Sequence, residues 1–511
     1  MEYYYICLVL LFFFFFLLMH EVIQDVKRHY ASIYIIPYCI LLSLLFKFDY
    51  GIGFWGLEYE DAYSFSFCSR QFSHDIYPSS FLIDAVSIGS LEKPLAIFTY
   101  GGHFITYPTF LSIFTQILGW SPQIISIINT FTAFIILVIL SLLGKRNRYW
   151  FVAPAIYCAA PIINVFTNCF LSEIFSSLLC ISFVYAYLRD KNHINTCLCL
   201  LAFGLALLCK RENLALLFIP IIDSLIRLFG AKKKNILFES IAHSIPYLII
   251  VFIYLFGCQN VFNIESIESV DIGESTFSVD NFRRLFPVFI KSLLSINTFS
   301  MTFYAYWGFV LYIWINKKIK DKILWVSLCL FSIYLILYTS HYRGYFFLKE
   351  EQVGTFETYR YINNFYYVIP LVFSSLSLGK IKTTYACVGF MLLFSLVQTF
   401  ELRNNYSTLE KNMRFKEVEI VSNYIESSDK PSELICENIL LYQNVCSSDF
   451  AVCAITQFDS LVFDKTTTDY YCLLPNLEYL YQRYGININL NDFKPILQLP
   501  NKDYLYLYNP Q

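Results

Sequence analysis

About twelve apolar runs, each near the length of a bilayer crossing, fill the chain from its start to Phe400, and they constrain its fold more than anything else in it. Hydrocarbon offers no partner to a backbone N–H or C=O, so runs of this length must close into helices. Spans are expected at about 3–19, 31–48, 122–143, 150–165, 168–188, 195–209, 212–229, 240–257, 299–315, 323–339, 361–378 and 383–400. The composition agrees: 57% of residues are hydrophobic, only 15% are charged, and the mean hydropathy is +0.52. The first run, with five phenylalanines from Phe12 to Phe16, has no basic flank and no small-residue cleavage site, and so reads as a membrane helix rather than a secretory signal.

Lys and Arg set the expected orientation. Six connectors, 20–30, 144–149, 189–194, 230–239, 316–322 and 379–382, hold sixteen Lys/Arg in 44 residues, including Lys145, Lys232 and Lys317, and are assigned to the cytoplasmic side. The long connectors 49–121, 258–298 and 340–360 hold eight in 135 residues and are assigned to the outside. The alternation holds only if 104–118 does not cross. That segment and 282–297 are therefore expected as amphipathic helices on the outer interface, roofing a cavity.

After residue 400 polar and apolar residues alternate, with strand-like runs at Leu461–Phe463 and Tyr504–Tyr508. Two domains follow: 1–400 in the membrane, and 401–511 as a small extracytoplasmic α/β domain, long enough for its own core. Twelve of sixteen cysteines precede residue 401 and read as small buried apolar side chains. Cys436, Cys446, Cys453 and Cys472 would meet an oxidising compartment, where a disulfide is an option. None of them has CxxC spacing, so no structural metal is expected.

The densest chemistry lies in the first outer loop, where Glu58, Glu60, Asp61 and Tyr63 crowd behind the second span. Carboxylates at the mouth of an apolar span are costly near lipid unless they serve a cavity, ion or substrate. A solvated outer loop is the alternative.

With these features the chain resembles the C-type superfamily of membrane glycosyltransferases, in particular the bacterial branch similar to protein O-mannosyltransferases and lipid A aminoarabinose transferases. Five segments carry the likeness: Glu60-Asp61-Ala62-Tyr63; Tyr107-Pro108 running to Leu118-Gly119; Leu171-Ser172-Glu173; Lys210-Arg211-Glu212-Asn213; and Tyr359-Arg360-Tyr361 with Pro370 beyond. The likeness covers roughly residues 31–380. The acid pair stands as Glu-Asp where relatives often have Asp-Glu.

The resemblance implies a GT-C-like polytopic helical fold and transfer of a hexosyl or pentosyl group. The sugar would pass from a polyprenyl-phosphate donor to a hydroxyl of a cell-envelope glycan, lipid or protein, with inversion, outside the cytoplasmic (inner) membrane. Such chemistry needs a base for the acceptor proton, cations for the leaving phosphate and an apolar groove for the prenyl chain. Asp61 is the expected base, with Glu60 in reserve, since a carboxylate in a roofed, partly desolvated pocket gains proton affinity. Arg360, Arg211 and Lys210 are the expected phosphate ligands, because guanidinium grips two oxygens and ammonium supplies a point charge. Glu58, Tyr63, Glu173 and Tyr107 are expected to support them.

No cofactor is expected, although assistance by a divalent metal is left open. The sequence has no Gly-rich phosphate loop, HExxH or Ser-His-Asp arrangement, which disfavours an ATP-driven pump or a hydrolase. A formal charge of -2 provides no basic field for nucleic acid, which leaves the lipid-linked donor, the acceptor and membrane lipids as partners. The rival readings are a lipid-linked oligosaccharide flippase or other transporter, which would bury charges near the midplane and show related halves, and an O-antigen-type polymerase or ligase.

Overall fold

The computed structural model describes residues 2–28, 106–119, 124–143, 172–189, 192–230, 235–258, 413–436, 451–455, 467–474, 488–499 and 504–509, with a few single positions besides. The expected spans 31–48 and 299–400 and most of 150–165 and 282–297 lie outside these residues.

The first helix, α1 (Glu2–Arg28), is long enough to cross a bilayer: 27 residues at about 1.5 Å each come to roughly 40 Å. Tyr4, Cys7, Leu11, Phe14, Leu18 and Val22 recur at steps of three and four and are buried. Ile6, Val9, Phe12, Phe13 and Phe16, on the other side, are each more than half exposed. An exposed stripe of this kind suits lipid and would be costly in water.

Helix α2 (Thr106–Leu118) starts with Pro108 in its first turn, where a missing N–H loses no helical bond. It stops at Gly119, whose φ of 76° is the left-handed conformation glycine adopts without a Cβ penalty. Its 13 residues reach only about 20 Å, so it does not cross, as expected. The expectation of a surface-lying amphipathic helix needs correction, because every residue from Thr106 to Ser112 is buried. Seven consecutive buried positions cover all faces of a helix. The physical reason is a run of hydroxyls at 106, 109, 112 and 115 that packs against other helices: Tyr4 Oη and Ser112 Oγ lie 3.0 Å apart, and Gln116 Nε2 donates to Tyr4 Oη at 3.3 Å.

Helix α3 (Ile124–Leu143) has no charged residue and packs on α4 (Glu173–Leu188). Helix α4 begins five residues later than the span expected at 168. With α5 (His193–Leu207) it forms a tight antiparallel hairpin. Asn192 caps α5, its side-chain oxygen accepting from the Asn195 N–H at 2.6 Å. Residues Arg211–Leu217 then form a 3-10 turn in place of the α-helix expected from 212, and α6 (Phe218–Gly230) continues from it. Helix α7 (Asn235–Phe252) holds Pro246 inside and runs into a π-helical turn, Ile253–Cys258. Phe183 of α4, Phe203 of α5 and Tyr247 of α7 meet with ring centroids 5.7–6.0 Å apart, joining the three helices in one core.

Toward the C-terminus, α8 (Met413–Glu426) precedes a five-stranded sheet in the order β2-β1-β3-β5-β4, built from β1 (Ser432–Cys436), β2 (Ala451–Ala454), β3 (Asp469–Leu473), β4 (Phe493–Gln498) and β5 (Tyr504–Tyr508). Strand β1 is parallel to β2 and β3, whereas β5 is antiparallel to β3 and β4. Tyr504–Tyr508 is a strand as expected; Leu461–Phe463 lies outside the described residues.

Ile435, Tyr470, Cys472 and Phe493 build the core on one face of the sheet. Tyr424 of α8 meets Tyr471 across the other face. The register also limits the disulfide considered for this region. Ile435 stands opposite both Cys453 and Cys472, so those two cysteines are two strand spacings apart, about 9.5 Å, beyond a disulfide's reach of roughly 7 Å. Cys436, one residue on from Ile435, is turned to the opposite face. These three therefore do not bridge one another, and Cys446 lies outside the described residues.

Candidate functional site

Three of the five segments singled out from sequence meet at the end of the bundle where α2 and α4 begin and α5 finishes. Glu173 opens α4, where a carboxylate faces the positive end of the helix. The α4–α5 hairpin returns the chain to the same end, and Lys210 falls at the break between α5 and the 3-10 turn with extended backbone (φ -151°, ψ 134°). Released from the helix there, its side chain reaches across, and Lys210 Nζ lies 2.7 Å from Glu173 Oε1. The carboxylate side chain is 1% exposed and the ammonium side chain 12%, so the pair is largely withdrawn from water while the cation keeps a narrow outlet.

A cluster of aromatic rings lies at the same end of the bundle. Phe175, two residues into α4, stacks on Phe110 of α2 with centroids 4.2 Å apart, and Phe110 stacks in turn on Phe15 of α1 at 5.6 Å. Tyr107, fully buried, tilts against Phe175 at 6.0 Å. Thr106 Oγ1 donates to the carbonyl of Leu208 at 2.8 Å, tying the start of α2 to the end of α5.

Beside the pair, Asn213 is fully buried in the 3-10 turn. Its Nδ2 donates to Ser176 Oγ at 2.9 Å and to the Ala206 carbonyl at 2.8 Å, while its Oδ1 accepts from Cys180 Sγ at 3.2 Å. One amide thus joins α4, the end of α5 and the turn that carries Lys210 and Arg211.

Of the residues expected at the site, Lys210 and Glu173 are in contact, and Tyr107 lies against Phe175 at the same end. Arg211 follows Lys210 in the turn, and its side chain lies outside the described part. Glu58, Glu60, Asp61, Tyr63 and Arg360 also lie outside the described residues. Sequence reasoning passed over Ser176, Cys180, Phe110 and Phe175, and quoted Asn213 without giving it a role. A signal was present. Glu173, Ser176 and Cys180 recur at steps of three and four, and Asn213 stands three residues beyond Lys210, so the polar positions share one face of each element.

A second charged cluster occupies the opposite end of α4. Arg189 Nη2 lies 2.8 Å from Glu21 Oε2, and its Nη1 lies 2.6 Å from Asp25 Oδ2. Tyr185 Oη donates to Asp25 Oδ2 at 2.9 Å and also meets Arg189. The connectors 20–30 and 189–194, assigned to one side of the membrane from their Lys and Arg, therefore touch.

The described side chains place one ammonium, paired with one carboxylate, at this end of the bundle. An ammonium has three donor hydrogens and Glu173 takes one, leaving capacity for an oxyanion. The pair by itself is neutral, so a phosphate would need further cations. Among the described residues no group of three or more His, Cys, Asp or Glu could hold a metal ion.

No family model and no curated protein matches the chain. Among solved structures, ArnT from Cupriavidus metallidurans in the apo state aligns with a TM-score of 0.58 at 10% identity, covering 95% of this chain and 100% of that one. The structure of ArnT from the same organism bound to undecaprenyl phosphate aligns over the same shares, with a TM-score of 0.54 at 9% identity. The likeness is one of fold: this chain shares the helical fold of these structures, in keeping with the resemblance read from its motifs.

Proposed function

We propose that the protein is a membrane glycosyltransferase that moves a sugar from a polyprenyl-phosphate carrier to a hydroxyl of a cell-envelope acceptor. The observation that carries this reading is the ion pair of Lys210 with the buried Glu173, both chosen from sequence alone, at the end of the bundle where Tyr107 also lies. A neighbour in fold is described as bound to undecaprenyl phosphate, which supports a lipid phosphate as the ligand class here.

In this reading Lys210 supplies one charge to the carrier phosphate, while Arg211, next in the turn, and Arg360 supply the rest that a neutral Lys210–Glu173 pair lacks. Glu173 holds Lys210 in place when the site is empty. Asp61, with Glu60 in reserve, removes the acceptor proton, supported by Glu58 and Tyr63. The active site and the domain from residue 401 lie on the extracytoplasmic side of the inner membrane, and the full chain crosses about twelve times.

Mass spectrometry of envelope glycans and lipids from cells with and without the gene tests the reading. The expected result is a missing sugar on one product together with accumulation of a polyprenyl-phosphate sugar. Unchanged glycans and carriers, with no binding of undecaprenyl phosphate to the purified protein, would refute it.

A further inference from the structure

We infer that Asn213 is a positioning residue for the phosphate-binding cation: its buried amide fixes the start of the 3-10 turn, where Lys210 reaches across to Glu173. The inference rests on the proposed function and goes beyond it by naming a group that touches neither carrier nor acceptor.

Four observations lead here. Lys210 leaves the end of α5 in an extended conformation, and no side-chain cap holds the turn that follows it. The turn is instead gripped from within: the Asn213 N–H donates to the Lys210 carbonyl at 3.1 Å, closing the first loop of the 3-10 turn. The Asn213 side chain then makes three bonds to two other helices, to Ser176 and Cys180 on α4 and to the Ala206 carbonyl at the end of α5. Finally, Ser176 sits one helical turn beyond Glu173, so the surface that holds Asn213 also carries the partner of Lys210.

A carboxamide meets this combination, with two donors and an acceptor in one plane. Asp would place an acceptor against the Ala206 carbonyl, and Leu would remove the donor to Ser176 and leave that carbonyl only the Cys209 and Lys210 N–H groups. The consequence for Lys210 is geometric. A 3-10 turn has poorer hydrogen-bond geometry than an α-helix and persists in short pieces only where its surroundings hold it. Without Asn213 the turn relaxes, and the ammonium loses its fixed place beside Glu173.

The test measures the affinity of the full-length protein in nanodiscs for undecaprenyl phosphate, for Asn213→Ala, Lys210→Met and the double variant. Asn213→Ala should weaken binding about tenfold, near the worth of one well-placed charged hydrogen bond. The double variant should bind no more weakly than Lys210→Met alone, because Asn213 acts through Lys210. A general packing role would instead give additive losses.

Ser176→Ala, which removes one of the two acceptors of Asn213, provides a milder cycle with Lys210→Met should Asn213→Ala fail to fold. It should show a smaller loss with the same non-additivity. Parental affinity in Lys210→Met would overturn the proposed role of Lys210, and this inference with it. Weak binding by Lys210→Met with parental affinity in Asn213→Ala, or additive losses in either cycle, would overturn the positioning role alone.

Discussion

Replacing Lys210 by Met keeps the length of the side chain and removes its charge, leaving the Glu173 carboxylate at 1% exposure without its cation. Breaking a buried ion pair on one side costs about 3–5 kcal/mol, because a charge remains out of water. Glu173→Gln is the milder change. The lysine left behind is 12% exposed and can turn toward water, so about 1–3 kcal/mol is expected, the range for an unsatisfied buried polar group. Lys210→Met combined with Glu173→Gln removes both charges and should recover most of the stability lost by Lys210→Met alone.

Resistance to denaturation in detergent, by a denaturant titration followed through intrinsic fluorescence, measures this order. Binding of undecaprenyl phosphate then separates support from ligation. If Lys210 grips the phosphate, the double variant regains its fold but stays weak for the carrier by about 1.5–3 kcal/mol, roughly 10- to 150-fold. Glu173→Gln being as damaging to stability as Lys210→Met would refute the electrostatic account of the pair. Parental carrier affinity in the stable double variant would make Lys210 a structural cation and remove it from the site.

Three further outcomes are expected. Asp61→Asn should fold and bind carrier normally yet turn over about 10²–10⁴-fold more slowly, with Glu60→Gln milder; parental transfer rates in both and in the double variant would reduce the acidic stretch to a solvated loop. Arg360→Lys should lose the two-oxygen grip and weaken carrier binding by about 1–3 kcal/mol, and unchanged affinity in Arg360→Ala would leave that arginine as a headgroup anchor. In a cysteine-depleted background, a cysteine at position 232 should resist an impermeant thiol reagent added outside while one in 258–298 reacts, and labelling of 232 from outside would invert the topology.

The sequence made the apolar elements legible because the requirement that hydrocarbon places on a backbone leaves one local solution. Helices α1, α3, α5 and α7 appear where apolar runs are found, and Pro108 and Gly119 mark the ends of α2. What periodicity could not read was the company each helix keeps. The hydroxyls at 106, 109, 112 and 115 look like the wet face of an interfacial helix, yet Ser112 meets Tyr4 and Thr106 the Leu208 carbonyl, partners about a hundred residues away in sequence. The late start of α4 and the 3-10 turn at Arg211 arise in the same way, from Glu173, Lys210 and Asn213 satisfying one another across the hairpin. Glu173 and Lys210 stood in separate segments of the sequence, and only the return of the hairpin brings them into contact.

Where the charges sit also bears on the choice between enzyme and transporter. A transporter places its ionisable groups near the midplane, where the substrate and coupling ion must pass. In helices α2 to α5 no charge stands in the middle, although α6 carries Asp223 inside, where Tyr187 Oη donates to it. Helix α4 carries Glu173 as its first residue and Arg189 just past its last, with only Ser, Cys and Tyr as polar groups between, and α2, α3 and α5 contain no Asp, Glu, Lys or Arg. The two end clusters differ in kind. Arg189 is held by two carboxylates and a phenol, so its charge is more than balanced and cannot readily serve an incoming phosphate. Lys210 is held by one carboxylate and retains donor capacity at the end where Tyr107 and the aromatic cluster lie. Helices α2 to α5, with an apolar middle, one saturated cationic end and one cationic end with donor capacity, support the proposed reading of a lipid phosphate held at one membrane face over a solute carried across the bilayer.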